Sequence, residues 1–544
     1  MENADMIFLN GKVITMDDAF PSADAVTVKN GVIQYVGDHP GALSFLNEDT
    51  EVIDLDGKTL MPGFIESHIH PSIFGLTLLE VDCKPTTTPS IPHLLQKVDA
   101  QAAKTPKGEW IKGWGWDDSK LAEKRNPTRW ELDEIAPDYP VLLKRSCAHM
   151  AVVNTKALEL SGITEDTPNP TGGNIERDEN GRLTGLLQEK AQGLLADPKY
   201  ELADMIRGME LAQEYFAQLG ITTVHDMATQ TSDLQLYQYL LQKDALKVRV
   251  RPWIWAIDQN GFDGSMEEVL KVGLRSGFGN DMLKIQGLKF MLDGSVGGKT
   301  AAVTEPFLGT QETGILYNDT DEIFPLMKKG IESGLRIAIH AIGDRAIEVA
   351  LSAFEKINET NEVAGMRNRI EHCALPTRNH LSRMKELELI AASSIGFLFH
   401  IGDNYLNKLG KERMKDLLPH KSFKEFGIIA PGNSDSPVTD VNPWMGIYGA
   451  VTRKSSSGQV LDESQNISVW DALKAYTTDA AYSSFEEETI GVIKPKAKAD
   501  LIVTSGDPMH VDVEKLKDIK VEKTFLEGKM IHESTHYEVL ERRM

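Results

Sequence analysis

The sequence predicts an α/β chain: a (β/α)8 TIM barrel, a small β-sandwich built from both termini, and an insertion after the first barrel strand. Three observations predict it. Short strand-and-turn segments occupy both ends of the 544 residues, apolar strand-like runs alternate with helix-length segments between them, and metal-type side chains recur at or near the ends of those runs. In a parallel barrel all strand C-termini converge on one face, which gives the recurrence a structural meaning. The expected extents are 1–60 for the N-terminal part of the sandwich, 61–83 for barrel strand one, and 84–200 for the insertion near the active site. The rest of the barrel is expected over 201–485 and the C-terminal part of the sandwich over 486–544.

Taken in order, Met6 to Leu9, Lys12 to Thr15, Ala25 to Lys29 and Val32 to Val36 read as strands. Asn10-Gly11 and Asn30-Gly31 between them predict two hairpins. Gly63 to His70 follows as an apolar strand ending in His-x-His. Side chains two apart on a strand point the same way, so His68 and His70 present two imidazoles to one metal ion. Glu66 shares that face and is expected to accept a hydrogen bond from a ligand imidazole.

From about 84 to 200 the strand-helix rhythm breaks. Pro92 to Lys104 reads as a helix, Trp110 to Trp116 as an aromatic run, and Pro127-Thr-Arg129 as a helix start. A segment placed over a strand's carboxyl end is where specificity is carried. From about 205 to 480 the alternation is regular. Strands read at Ile221–Val224, Lys247–Trp255, Leu283–Met291, Arg336–Ala341, Asn368–His372, Leu389–Ala392 and Gly427–Ala430. With the strand before His68 they make eight, which argues for a closed barrel. An open doubly wound sheet is disfavoured because no Gly-x-Gly-x-x-Gly follows an early strand. At the far end Ala499–Thr504, Val521–Leu526 and Lys529–His532 are again β-rich.

The side chains that make the metal reading more than a histidine pair are Lys289, His340, His372 and Asp435, each at or just beyond a strand-like run. A net charge of -23 argues against a phosphate-rich partner such as nucleic acid or an anionic membrane, so a small-molecule ligand is expected. The N-terminus reads without a signal peptide, and no apolar run reaches the roughly 18 residues of a membrane span, so the expected location is cytoplasmic. Cys83, Cys147 and Cys373 are odd in number and scattered, which suits reduced thiols.

Pro62-Gly-Phe-Ile-Glu-Ser-His-Ile-His70, Lys289 to Ser295, His340 to Arg345, Arg369-Ile-Glu-His372, Ser434-Asp-Ser-Pro437 and Ala499 to Val503 together resemble the amidohydrolase superfamily. The likeness covers essentially the whole chain and falls in the amidohydrolase-3 branch, which includes proteins similar to N-substituted formamide deformylase. The resemblance implies one metal at His68, His70 and Asp435, a second at His340 and His372, and a carbamylated Lys289 bridging them. Nitrogen and oxygen ligands suit two Zn²⁺ ions, with other divalent transition metals compatible. It further implies hydrolysis of an amide, formamide or cyclic amide C–N bond by a metal-activated hydroxide, with Asp435 carrying the proton to the leaving amine. A homodimer is the assembly this family implies. The alternatives are a deaminase of a heterocycle and a catalytically silent, ligand-sensing regulator.

For substrate binding, Trp114 and Trp116 form an aromatic wall or pack the insertion's own core. His149 resembles a branch histidine that reaches substrate, or is a surface imidazole. Arg345 clamps a substrate carboxylate, or pairs with Asp344 or a neighbouring loop.

Overall fold

The computed structural model describes residues 2–146, 150–196, 199–259 and 261–534. Two compact units emerge, one built from the chain up to Pro71 and from Gln213 onward, the other spanning Ser72–Ala212.

In the first unit both termini form a pair of sheets. One has the order Val32–Gly37, Ala25–Lys29, Met6–Leu9, Glu51–Asp54. The other runs Lys529–Glu533, Val521–Leu526, Leu501–Thr504, Thr59–Pro62, Lys12–Ile14, Ser22–Ala23. The two ends of the chain meet where Thr59–Pro62 pairs antiparallel with Leu501–Thr504. Phe8, Val26, Leu60, Val503 and Phe525 fill the space between the sheets, with Phe8 and Phe525 edge to face at 5.2 Å.

The turn at Asn30-Gly31 makes the expected hairpin, with both residues at positive φ. Asn10-Gly11 does not. Met6–Leu9 and Lys12–Ile14 belong to different sheets, so this turn carries the chain from one layer to the other. A Cβ on Gly11 would lie 2.5 Å from both Leu55 Cβ and the Lys58 carbonyl oxygen, so close packing, rather than a hairpin, accounts for that glycine.

The barrel staves are β1 (Phe64–Ile69), β2 (Ile221–Thr229), β3 (Arg249–Trp255), β4 (Gly287–Met291), β5 (Arg336–Ala341), β6 (Arg369–His372) and β7 (Ile390–Ala392). They pair in sequence order and every pairing is parallel. The expected eighth strand at Gly427–Ala430 is not a ladder strand. Its place is taken by residues 429–436, which receive single bonds from β7 through Ala391 N to Ile429 O (3.1 Å) and Ser393 N to Pro431 O (2.9 Å). On the other side Asp435 N donates to His68 O and His70 N to Ser436 O, each at 3.0 Å, so the ring closes. Pro431 has no N–H to donate, Gly432 N is taken by Ala475 O, and Asp435 lies at φ 57, which together prevent a regular ladder. After β7 the chain enters helix α1 (Gly396–Leu409).

Buried ion pairs fix the barrel's lower end to the sandwich. Arg249 grips Asp500 with two bonds, 2.7 and 3.0 Å, both side chains being 1% exposed, and also reaches Glu527 at 3.0 Å. Arg251 grips Glu486 in the same way, at 2.6 and 2.9 Å.

The second unit carries a six-stranded sheet. Val81–Asp82, Ile111–Trp116 and Val141–Arg145 are parallel, and Met150–Val153, Leu183–Glu189 and Gly173–Arg177 continue antiparallel. The helices at Ile91–Ala102 and Arg129–Ile135 start on Ser90 and Thr128 caps, the latter a full capping box with Glu131. Among the described residues, no helix is long and apolar enough to cross a membrane.

Candidate active site

His68 and His70 come from the C-terminal end of β1 and its exit, and Asp435 from the closing segment beside it. His70 Nε2 lies 3.1 Å and His68 Nε2 3.3 Å from the same Asp435 Oδ1. Among the described residues these three offer ligand atoms within 4.8 Å of one another. His372, from the end of β6, places its ring 4.7 Å from that of His68 and 4.4 Å from that of His340 on β5. Lys289 is on β4, in register with Ala338, two residues before His340. Five of the six predicted ligand residues are buried and His70 nearly so.

Three of the four imidazoles are oriented by a fixed partner. His68 Nδ1 is 2.6 Å from Glu371 Oε2, His372 Nδ1 is 2.7 Å from Ser394 Oγ, and His340 Nε2 is 3.1 Å from Gly294 O and 3.3 Å from Asp293 Oδ1. The opposite nitrogens are left for a ligand. Asp293 is held by backbone N–H groups of Ala302, Ile342 and Gly343. Ser394 in turn donates to Asn433 at 2.7 Å. His372, Cys373 and Asp435 all lie at positive φ, in the left-handed region that residues other than glycine rarely adopt. Such backbone is held by its surroundings and clusters at functional sites.

A charged network lies beneath. Arg369 binds both Glu371 oxygens (2.7 and 2.9 Å), the Ser67 carbonyl (2.8 Å) and His225 Nδ1 (3.1 Å), with its guanidinium over the Trp253 ring. Burial alone would push the Glu371 carboxyl up, but the Arg369 charge, the His68 bond and the charges of His68 and Lys289 outweigh it and bring it down to about 2. His225, on the catalytic-end strand β2, therefore serves this network. Glu66 does not reach a ligand imidazole as expected. It accepts the Ser434 N–H at 2.8 Å and so steadies the segment bearing Asp435.

The electrostatics suit a bound cation. Burial first, then the Lys289 charge, lowers the pKa of His68; burial with the neighbouring His340 and His68 lowers that of His372 well below the usual range. Both shifts favour the neutral ring, the form whose lone pair a metal can take. Burial opposes ionisation of Asp435, yet the charge of His68 and the bonds from His68 and His70 hold its pKa well below the ordinary range. In a metal-bound form His68 would keep Nδ1–H on Glu371 and offer the lone pair of Nε2, 3.3 Å from Asp435 Oδ1, to the ion. Among the described residues, the Asp435 oxygen and the Nε2 atoms of His68 and His70 lie close enough to share one ion. Burial lowers the Lys289 ammonium to about 8, against the opposing charges of Glu371 and Asp435.

The expected substrate residues fare differently. Trp116 has no exposed surface and packs with Val81, Cys83, Leu132 and Leu143, so it belongs to the insertion's own core and not to a substrate wall. Trp114 is 7% exposed on the same strand. Arg345 Nη1 reaches Thr313 at 3.4–3.5 Å, so the neighbouring loop is its partner. His149 and Cys147 lie outside the described residues. Cys373 is a buried thiol facing Met384.

The sequence profile of the amidohydrolase family matches residues 51–532. The chain belongs to the amidohydrolase family. N-substituted formamide deformylase of Arthrobacter pascens is 28% identical, the match covering 98% of this amidohydrolase and 99% of the relative. The protein LONG AFTER FAR-RED 3 of Arabidopsis thaliana is 30% identical over 97% of this chain and 92% of its own. Among solved structures, an uncharacterized metal-dependent hydrolase from Pyrococcus horikoshii superposes with a TM-score of 0.77 at 30% identity, covering 94% of this amidohydrolase and 99% of that chain. This amidohydrolase is accordingly a metal-dependent hydrolase with the barrel fold of its family.

Proposed function

We propose that this amidohydrolase cleaves the C–N bond of a small N-substituted amide, formamide or cyclic amide. The observation that carries the reading is the position of Asp435, whose Oδ1 lies within 3.1 and 3.3 Å of two imidazoles. There a carboxylate serves both as ligand and as proton carrier. Two divalent transition-metal ions, zinc by ligand type, held by His68, His70, Lys289, His340, His372 and Asp435, would supply carbonyl polarisation and a water acidified towards about pH 7.

The chain's own residues do the rest. Glu371, Ser394 and Asp293 hold three imidazoles in one tautomer and one orientation each. Asp435, ionised at neutral pH, accepts the proton from the attacking water and passes it to the departing amine nitrogen. Lys289 is buried without a hydrogen bond or ion pair among the described residues, and its low pKa raises the share of neutral amine, the form that adds carbon dioxide to become a carbamate. The formamide deformylase relative supports the choice of bond.

The test is metal content per chain for protein expressed with bicarbonate and zinc, beside Lys289→Ala, followed by amine release from a panel of N-substituted formamides and N-acyl amines. The expected result is two ions, falling to one or none in the variant, and turnover of at least one panel class. One ion in both proteins removes Lys289 from the ligand set. A two-metal protein that turns over nothing in the panel overturns the amide reading.

A further inference from the structure

The site described so far has ligands and a proton carrier but nothing that holds the acyl oxygen of a substrate. Helix α1, which follows β7, supplies a candidate. Phe397, in its first turn, lies nearly parallel to the His372 ring, with centroids 5.8 Å apart and planes at 14°. Eight residues on, just over two turns, Tyr405 returns to the same helix face. Its ring meets Phe397 edge to face at 6.1 Å. The tyrosine is 2% exposed, and its hydroxyl has no hydrogen-bond partner among the described residues.

Burial chiefly, and then the charges of Asp435 and Asp293, raise the Tyr405 pKa, which puts the ring within electrostatic reach of both. Asp435 belongs to the His68 and His70 side of the site and Asp293 to the His340 side. The tyrosine thus lies one ring beyond Phe397, on a helix packed against the His372 member of the cluster.

We propose that Tyr405 is a substrate-binding residue whose hydroxyl donates a hydrogen bond to the acyl oxygen of the scissile amide, with Phe397 as the spacer that holds it beside the site. The proposal rests on the amide-hydrolase reading above. An O–H donor aimed at a carbonyl oxygen binds the planar amide and binds more tightly once attack has made that oxygen anionic. The oxygen belongs to any carboxamide or formamide, so the residue selects for a carbonyl-bearing substrate.

Tyr405→Phe tests this because it removes one oxygen and keeps both ring contacts. The probe is acetohydroxamate, titrated into cobalt-loaded wild type and variant and followed by the cobalt absorption spectrum, a readout independent of turnover. Metal content and thermal midpoint are expected to be unchanged. Binding of the probe weakens about tenfold, the value of one hydrogen bond, and kcat/KM on any panel substrate falls by at least as much. Probe affinity within twofold of wild type overturns the role of Tyr405 while leaving the amide-hydrolase reading intact. Wild type that takes up no cobalt overturns both. If the phenylalanine variant folds poorly, Tyr405→Met is read by the same criteria.

Discussion

Replacing Glu371 by glutamine tests the link between the barrel's buried charges and the metal site. The carboxylate accepts two bonds from Arg369 and one from His68 Nδ1. Glutamine keeps one oxygen and turns the other position into a donor, which must face either the guanidinium or the imidazole. In the first case Arg369 loses part of its anionic partner; in the second His68 is pushed to the tautomer with Nε2–H, whose Nε2 cannot bind a metal.

The magnitude has two parts. Glu371 falls from an ordinary 4.5 to about 2, and at about 1.4 kcal/mol per tenfold change this amounts to about 3 kcal/mol of stability. A depressed carboxylate contributes that stability above about pH 4.5 and loses it as pH falls towards about 2. Glu371→Gln should therefore cost about 3 kcal/mol in urea unfolding of the metal-free protein at pH 7, with the gap to wild type narrowing below pH 4.5. Zinc affinity, measured by chelator competition, should fall about 10- to 100-fold, as for loss of a partner that orients a ligand imidazole. Unchanged zinc affinity and an unchanged unfolding midpoint would refute the argument that this carboxylate fixes the His68 ring.

Other outcomes follow from the same geometry. Asp435→Asn should lower kcat by about 10²- to 10⁴-fold, the range for losing a positioned proton carrier, as measured by steady-state amine release. Asp500→Asn removes the buried one of Arg249's two carboxylate partners and leaves Glu527, and urea unfolding should register a loss of about 1–3 kcal/mol. Cys83 and Cys373 are buried thiols whose pKa values burial drives upward, so iodoacetamide at pH 7.5 should leave both unmodified in the native protein and alkylate both in urea, read by mass spectrometry of their peptides.

The parts of this molecule legible in its sequence were those written in local patterns. Period-two spacing placed His68 and His70 on one face, and apolar runs located seven of the staves within a few residues. The eighth was misread because Ile428–Ala430 has a strand's composition, whereas the barrel is closed by a segment with a proline, a glycine and a left-handed aspartate. Arg369 and Glu371 were visible as an i, i+2 pair, yet hydrophobic patterning gives no warning that two charges will lie inside a barrel. That depends on a second strand, which brings His68. Phe397 and Tyr405 escaped for a related reason, since only the packing of α1 against β6 makes them neighbours of His372. Asn10-Gly11 shows the limit of turn chemistry: it specifies a sharp reversal but not which sheet receives the next strand.

The closing stave has one further consequence. His70 and Asp435 touch across a sequence separation of 365 residues, and the segment that joins them to β7 is tied by single bonds instead of a ladder. The ligand cluster therefore depends on the contact of the ring that is most distant in sequence. A chain still emerging from the ribosome, or one cut short before residue 435, has no complete cluster to charge with metal. Loading of a metal at these residues would in this way be deferred until synthesis of the barrel is finished.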